Sequence, residues 1–159
     1  DAVKGGDELK DPKLDGFFFV GPKGAKLDSA PVPGSWSTIT ADGATMAFFA
    51  HSPSDGGEGC PTMADVKKLV KDAKTVVDVS AKAKPWGKES LGDEIELWVF
   101  EKDGKTGFYG RKVFDKKDDD VTYCCAPGTA DDATKMTTLL DKAKADALAG
   151  ACMALKQKL

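Results

Sequence analysis

The stretch that decides the fold runs from 94 to 126: EIELWVFE (94–101), KDGK (102–105), TGFYGRKVF (106–114), DKKDDD (115–120) and VTYCCA (121–126). Ile95, Leu97 and Val99 alternate with Glu94, Glu96, Trp98 and Phe100, the period-two pattern of a β-strand. Trp98 and Phe100 make its second half apolar on both sides, which predicts a strand covered on both faces. Asp103-Gly104 reverses the chain, the acidic run 115–120 reverses it again, and Pro127-Gly128 stops the third strand. The expectation is a three-stranded antiparallel meander.

Upstream, Trp36–Thr40 and Ala44–Ala50 flank Ala41-Asp42-Gly43, and Asp-Gly suits the positive φ of a tight hairpin turn. Gly16–Val20 (GFFFV) predicts an earlier strand, with 23–34 as loop. Three phenylalanines in a row fit a doubly buried strand better than a membrane or partner patch. A helix is expected over 61–74, with Pro61 at its first position or Thr62 as cap contacting Asp65. Met63, Val66, Val70 and Ala73 would form its inner face, and Lys67, Lys71 and Lys74 another. Thr75–Ser80 predicts a further strand, while 81–93 carries weak patterning around Pro85-Trp86-Gly87. Downstream, Thr129 is expected to cap a long helix with Asp131 and Asp132 near its positive end. Its stripe would be Ala133, Met136, Leu140, Ala143 and Ala147, bending or ending at Gly150.

These elements predict an α+β class: a mainly antiparallel sheet with a C-terminal three-stranded meander and helices packed on one or both faces. Residues 1–15 read as a flexible N-terminal tether and 16–159 as a single domain. The chain has 159 residues, 41% of them hydrophobic, enough for an ordinary core. A net charge of −3 and a single arginine, Arg111, argue against nucleic acid as a partner. No apolar run approaches the roughly 20 residues of a membrane helix. The start at Asp1 reads as either a processed or a trimmed end, and processing would suit export and a compartment that permits disulfides.

The cysteines are Cys60, Cys124, Cys125 and Cys152, all four disulfide candidates. A bond from Cys60 to Cys124 or Cys125 would close about 65 residues and contribute roughly 4 kcal/mol on the chain-entropy formula. A vicinal Cys124–Cys125 bond would contribute about 1 kcal/mol, with ring strain set against it. Alternation sends Cys124 and Cys125 to opposite faces of the sheet, so one packs as a core thiol or bonds Cys60. Were the last helix straight, Cys152 would stand about 30 Å from both unless the chain folds back at Gly150. Thiolate metal binding, with Met46, Met63 and Met153 as soft auxiliaries, is a further use, although the Cys-x2-Cys spacing is missing. No metal site and no cofactor is assigned.

Other constellations are incomplete. His51, the sole histidine, has Ser52, Ser54 and Asp55 beside it but no Gly-x-Ser-x-Gly elbow, and reads as a solvated loop residue. Asp115, Asp118, Asp119 and Asp120 lack the glycine and terminal glutamate of a calcium loop. Gly56-Gly57-Glu58-Gly59 lacks the Gly-Lys-Ser/Thr ending of a phosphate cradle, and Glu58 would repel the anion. The helix lysines, joined by Lys82, Lys84 and Lys88, form a face for solvent, an acidic partner or anionic headgroups.

The string from Phe48-Phe49 through Pro53 to Cys60-Pro61-Thr62 resembles the strand-loop-helix entrance of peroxiredoxins and other thioredoxin-like proteins. That likeness implies a thioredoxin-like fold and a Cys60-dependent thiol oxidoreductase or peroxidase. The departures are Gly57 three residues before the cysteine, and Met63 where a second cysteine would complete Cys-x-x-Cys. The whole order of elements over 16–157, with the early hairpin, the middle helix, the meander and Ala126-Pro127 before a closing helix, resembles the PsbP-like fold of exported proteins and lipoproteins. It implies an α/β/α sandwich and a non-enzymatic interaction or assembly module in the periplasm, cell envelope or exterior, with a protein partner and the option of an N-terminal lipid tether. Non-enzymatic assembly is the expectation, with thiol oxidoreductase and thiolate metal-binding protein as alternatives.

Overall fold

A computed structural model describes residues 8–9, 17–29, 36–51, 59–82, 89–90, 94–114 and 121–158. Its main body is a seven-stranded sheet. In chain order the strands are β1 (Glu8–Leu9), β2 (Phe17–Val20), β3 (Lys26–Asp28), β4 (Ser37–Ala41), β5 (Ala44–His51), β6 (Lys74–Lys82), β7 (Glu89–Ser90), β8 (Glu94–Lys102), β9 (Lys105–Phe114), β10 (Val121–Pro127) and β11 (Lys156–Lys158). The large sheet runs β3-β4-β5-β10-β9-β8-β6, and every neighbouring pair in it is antiparallel. A second sheet, β1-β2-β11-β7, joins the two ends of the described chain.

The meander forms as its alternation requires. Asp42-Gly43 and Asp103-Gly104 turn the two tight hairpins, both residues of each pair holding positive φ of 50° to 76°. β10 falls in the middle of the sheet, with three strands on each side. The expected α+β class therefore stands, with helices on both faces.

Alternation sorts the apolar side chains into two cores. Met46, Phe48, Val99, Phe108, Tyr123 and Cys125 point to one face; Ala47, Phe49, Trp98, Phe100, Tyr109 and Cys124 point to the other. The first is covered by helix α2 (Lys142–Met153), which buries Ala145, Leu148, Ala149, Ala151 and Cys152. Phe19 of β2 adds to it, its ring 4.9 Å from that of Phe48 and 5.3 Å from that of Tyr123. The second face is covered by helix α1 (Met63–Leu69), whose one buried residue is Val66.

Four expectations are corrected. Helix α1 is seven residues long, not fourteen: Thr62 Oγ1 caps it by accepting from the Asp65 amide at 3.2 Å, but Val70 is already extended and Asp72 takes φ 61°. The chain then enters β6, which begins at Lys74. The predicted long C-terminal helix is split. After Pro127 come turns, a 3-10 turn at Ala133–Lys135 and left-handed Met136, and α2 starts only at Lys142. β-branched Thr137 and Thr138 disfavour continuation there. The segment also carries the chain across the sheet edge, since Leu139 packs on the α1 face and Leu140 on the α2 face. A two-way bridge secures the crossing, with the Thr106 and Leu140 amides each donating to the other's carbonyl at 2.8 Å. Gly150 does not end α2, which continues to Met153. Finally, 23–34 contains β3 and 81–93 contains β7, strands too short for a periodic signal.

The all-antiparallel sheet also departs from the thioredoxin-like alternative. β5 and β6, on either side of α1, are not neighbours: β6 is the outer strand beside β8, and β5 lies between β4 and β10.

Candidate functional site

The chemistry-bearing groups gather along β10 and β9. Cys124 and Cys125 are adjacent on the central strand, and alternation aims one sulfur at each face. Cys124 is bonded to Cys60, just before α1, with Cα atoms 5.9 Å apart. Cys125 is bonded to Cys152 on α2, with Cα atoms 6.1 Å apart. No cysteine is left free. The two bonds fasten one helical segment to each face of the sheet.

The sequence-based expectation that Cys152 is remote fails because the helix carrying it is short and turned back. α2 begins thirteen residues after Thr129 and packs back on the sheet, so its last turn lies over β9 and β10. A close approach makes room for it. A Cβ on Gly110 would sit 2.6 Å from Met153 Cε and 3.4 Å from Cys125 Sγ, and closer still to Cys152 Sγ. Only glycine leaves space for that sulfur.

Next to this bond lies Lys112, fully buried. Its Nζ donates to the carbonyl of Met153, the last residue of α2 and left unpaired by the helix, and to that of Leu155 just beyond it at 3.0 Å. A cation at this negative helix end is favourably placed. Sequence inspection missed Lys112. The available signal was register: it alternates with Phe108, Gly110 and Phe114, all inward on the α2 face.

On the opposite face the environment is wetter. Cys60 is half-buried, while Cys124, Cys125 and Cys152 are each 0% exposed. Cys60 Sγ lies 3.8 Å from the Phe49 carbonyl oxygen and 4.0 Å from that of Thr122. The Tyr109 hydroxyl donates to the Pro61 carbonyl at 2.7 Å, holding the segment that carries Cys60. Burial pushes the Tyr109 phenol up, so it stays a neutral donor, although Arg111 nearby opposes the shift. Arg111 is the direct cross-strand partner of Cys124, and on its other side donates to Glu96 Oε1 at 3.1 Å. Its Nε is buried with no acceptor among the described residues. The sole arginine stands out in the sequence for its rarity, not for this position.

His51 is not a loop residue. It ends β5, half-buried, with its ring 5.8 Å from that of Phe49 and its imidazole against Gly59. Trp36 also stacks on Phe49, at 5.3 Å. Ser52, Ser54, Asp55 and Gly56–Glu58 lie outside the described residues, as do the acidic run 115–120, Lys84 and Lys88. Of the helix lysines, Lys67 is engaged: it reaches Asp78 Oδ2 at 2.7 Å and stands 5.8 Å over the Trp98 ring. Among the described residues no group of three or more metal-ligating side chains converges. Two shallow grooves of about 230 and 280 Å3 flank Met136 and Ala147, respectively, away from the sulfur atoms.

No helix among the described residues is long and apolar enough to cross a membrane. Comparison of the chain with protein-family models, with curated proteins and with solved structures found no match in any of the three.

Proposed function

We propose that this chain is a non-enzymatic, exported domain that works by protein contacts, its fold held by one disulfide on each face of the sheet. The observation that carries the reading is the use of all four cysteines in two bonds. Bonds of this kind persist in the periplasm, the cell envelope or the exterior and are rare where glutathione and thioredoxin keep thiols reduced. Helices on both faces of a mainly antiparallel sheet are what the PsbP-like layering calls for, and we keep that affinity, together with a lipid anchor on the N-terminal segment, as part of the proposal. The two alternative uses of sulfur, a Cys60 peroxidase and a thiolate metal carrier, both need thiols that are tied up in bonds in this arrangement.

The contact region we favour is the outer strand β6. The exposed large hydrophobics among the described residues are Val76 and Val79 in that strand and Leu69 at the end of α1. β6 is nine residues long, and its far side has no neighbour in the sheet among the described residues. The bulge between Thr75 and Val77 and Lys74 at the strand's start are features that restrain indiscriminate edge pairing.

Fractionation of the source cells with rapid thiol alkylation tests the reading. The expected result is protein outside the cytoplasm carrying no alkylated cysteine. Recovery from the cytosol with four labelled thiols would refute it. A photo-crosslinking residue at Val79 should then trap a discrete protein partner that the same residue at Lys23 does not.

A further inference from the structure

We propose that the two disulfides differ in kind: Cys125–Cys152 is a permanent brace, whereas Cys60–Cys124 is a reducible latch on the α1 face. The inference goes beyond the contact reading and does not depend on which partner is bound.

Access separates them first. Thiol–disulfide exchange needs a thiolate to reach a sulfur along the bond axis. Three of the four half-cystines have no solvent contact, and only Cys60 has some. Cys124 rises from the sheet toward Cys60, so an incoming thiolate meets Cys60 and Cys124 is the leaving group.

The surroundings of that leaving group are the second observation. Arg111 occupies the position directly opposite Cys124 on β9, where facing Cβ atoms stand about 5 Å apart. Its Nε is buried and has no acceptor among the described residues. A buried donor left without a partner is costly and rare in a finished core. A thiolate formed on Cys124 would supply the missing acceptor and a neutralising charge, favouring its departure. Cys125 faces the other side of the sheet, opposite Gly110, and the buried lysine beside its bond, Lys112, already donates to the Met153 and Leu155 carbonyls.

The third observation is what the latch holds. α1 has one buried residue, against five on α2. Beyond the disulfide, its described polar ties are the Tyr109–Pro61 hydrogen bond and Lys67, which pairs with exposed Asp78 and stands over the Trp98 ring.

The step balances with a dithiol reductant. One thiolate of the reductant attacks Cys60 Sγ, and the sulfur–sulfur electron pair leaves on Cys124. The second thiolate of the reductant then attacks the mixed disulfide and expels Cys60. The reductant departs as its own disulfide; two electrons and two protons have reached the protein as two thiols. Opening frees 59–62 from β10 and loosens α1 over Phe49, Trp98 and Tyr109.

Dithiothreitol titration of the folded chain, quenched with iodoacetamide and mapped by mass spectrometry, tests the proposal. Cys60 and Cys124 should carry label at dithiothreitol concentrations at least tenfold below those that label Cys125 and Cys152, with the far-UV spectrum retained. In Arg111→Gln the opening rate of Cys60–Cys124 should fall several-fold. Labelling of all four cysteines together, labelling of Cys125 and Cys152 first, or an unchanged rate in Arg111→Gln would overturn it.

Discussion

The two faces of the sheet use the same device with different stringency. On the α2 side a twelve-residue helix, the ring of Phe19, a fully buried bond and a buried lysine close the core. On the α1 side a seven-residue helix with one buried side chain rests on the sheet, and the sulfur that ties it meets solvent. Loop length would rank the bonds the other way. Cys60–Cys124 spans 64 residues and Cys125–Cys152 spans 27, which on chain entropy alone contribute about 4.3 and 3.6 kcal/mol. Burial reverses that order, because deleting sulfur from a dry site leaves a cavity as well as a freer unfolded chain. What a disulfide stabilises here depends more on the packing around it than on the loop it closes.

The sharpest way to break the comparison is to remove each bond in turn. Cys125→Ala with Cys152→Ala should lose about 5 kcal/mol of unfolding free energy in denaturant titration, adding a cavity cost to the loop term. Cys60→Ala with Cys124→Ala should lose less, about 4.5 kcal/mol, despite the longer loop, because only one of its two sulfurs, that of Cys124, leaves a sealed cavity. Equal losses, or a larger loss from the second pair, would place the controlling term in the unfolded chain.

A smaller effect probes the end of α2. Lys112→Met keeps the volume but leaves the Met153 and Leu155 carbonyls without their donor, and should cost about 2–3 kcal/mol. A loss below about 0.5 kcal/mol in the same titration would mean that water replaces the ammonium.

Two glycines on β9 compare the faces more finely. Gly110→Ala drives a methyl into Cys152 and Met153, held by the bond and the helix, and should cost about 3 kcal/mol. Gly107→Ala meets the Phe100 ring on the other face, with Phe100 Cε2 at 2.9 Å and Leu139 Cδ2 at 3.0 Å, and should cost nearer to about 1–2 kcal/mol as those side chains shift. Melting temperatures of the two variants decide whether the α1 side is the more yielding.

The smallest expected effect depends on pH. The hydrogen bond from Lys105 to Asp141, at 3.0 Å, holds the Asp141 carboxyl below its ordinary range at the start of α2. A depressed folded value means that this contribution is present above about pH 4 and is lost as pH falls through the folded value. Both groups are exposed, so Asp141→Asn should flatten the acid limb of the stability curve only slightly.

Much of the fold was legible because alternation is a local signal. Trp98 against Val99, and Cys124 against Cys125, declare their faces from the sequence alone, and two Asp-Gly pairs mark the hairpins. The region 129–153 was not legible. Ala133, Met136, Leu140, Ala143 and Ala147 have helical spacing, yet Ala133 and Met136 pack on one face of the sheet and Leu140 on the other. A periodic stripe cannot show that the chain changes faces; the bridge to Thr106 is a tertiary event. That misreading hid the Cys125–Cys152 bond, since it placed Cys152 at the far end of a straight helix. Lys112 and Arg111 were illegible for a related reason. A charged residue in a strand reads as solvent-facing, and only the carbonyls at and just past the end of α2 and the carboxylate of Glu96 make inward positions tolerable.

Peptide mapping of the protein without reduction tests the central claim most directly. The account predicts two cross-linked species, one joining the peptides of Cys60 and Cys124 and the other those of Cys125 and Cys152, with proteolysis between Cys124 and Cys125 or fragmentation separating the neighbours. A Cys60–Cys125 or a vicinal Cys124–Cys125 linkage would contradict it, since neither can fasten a helix to each face.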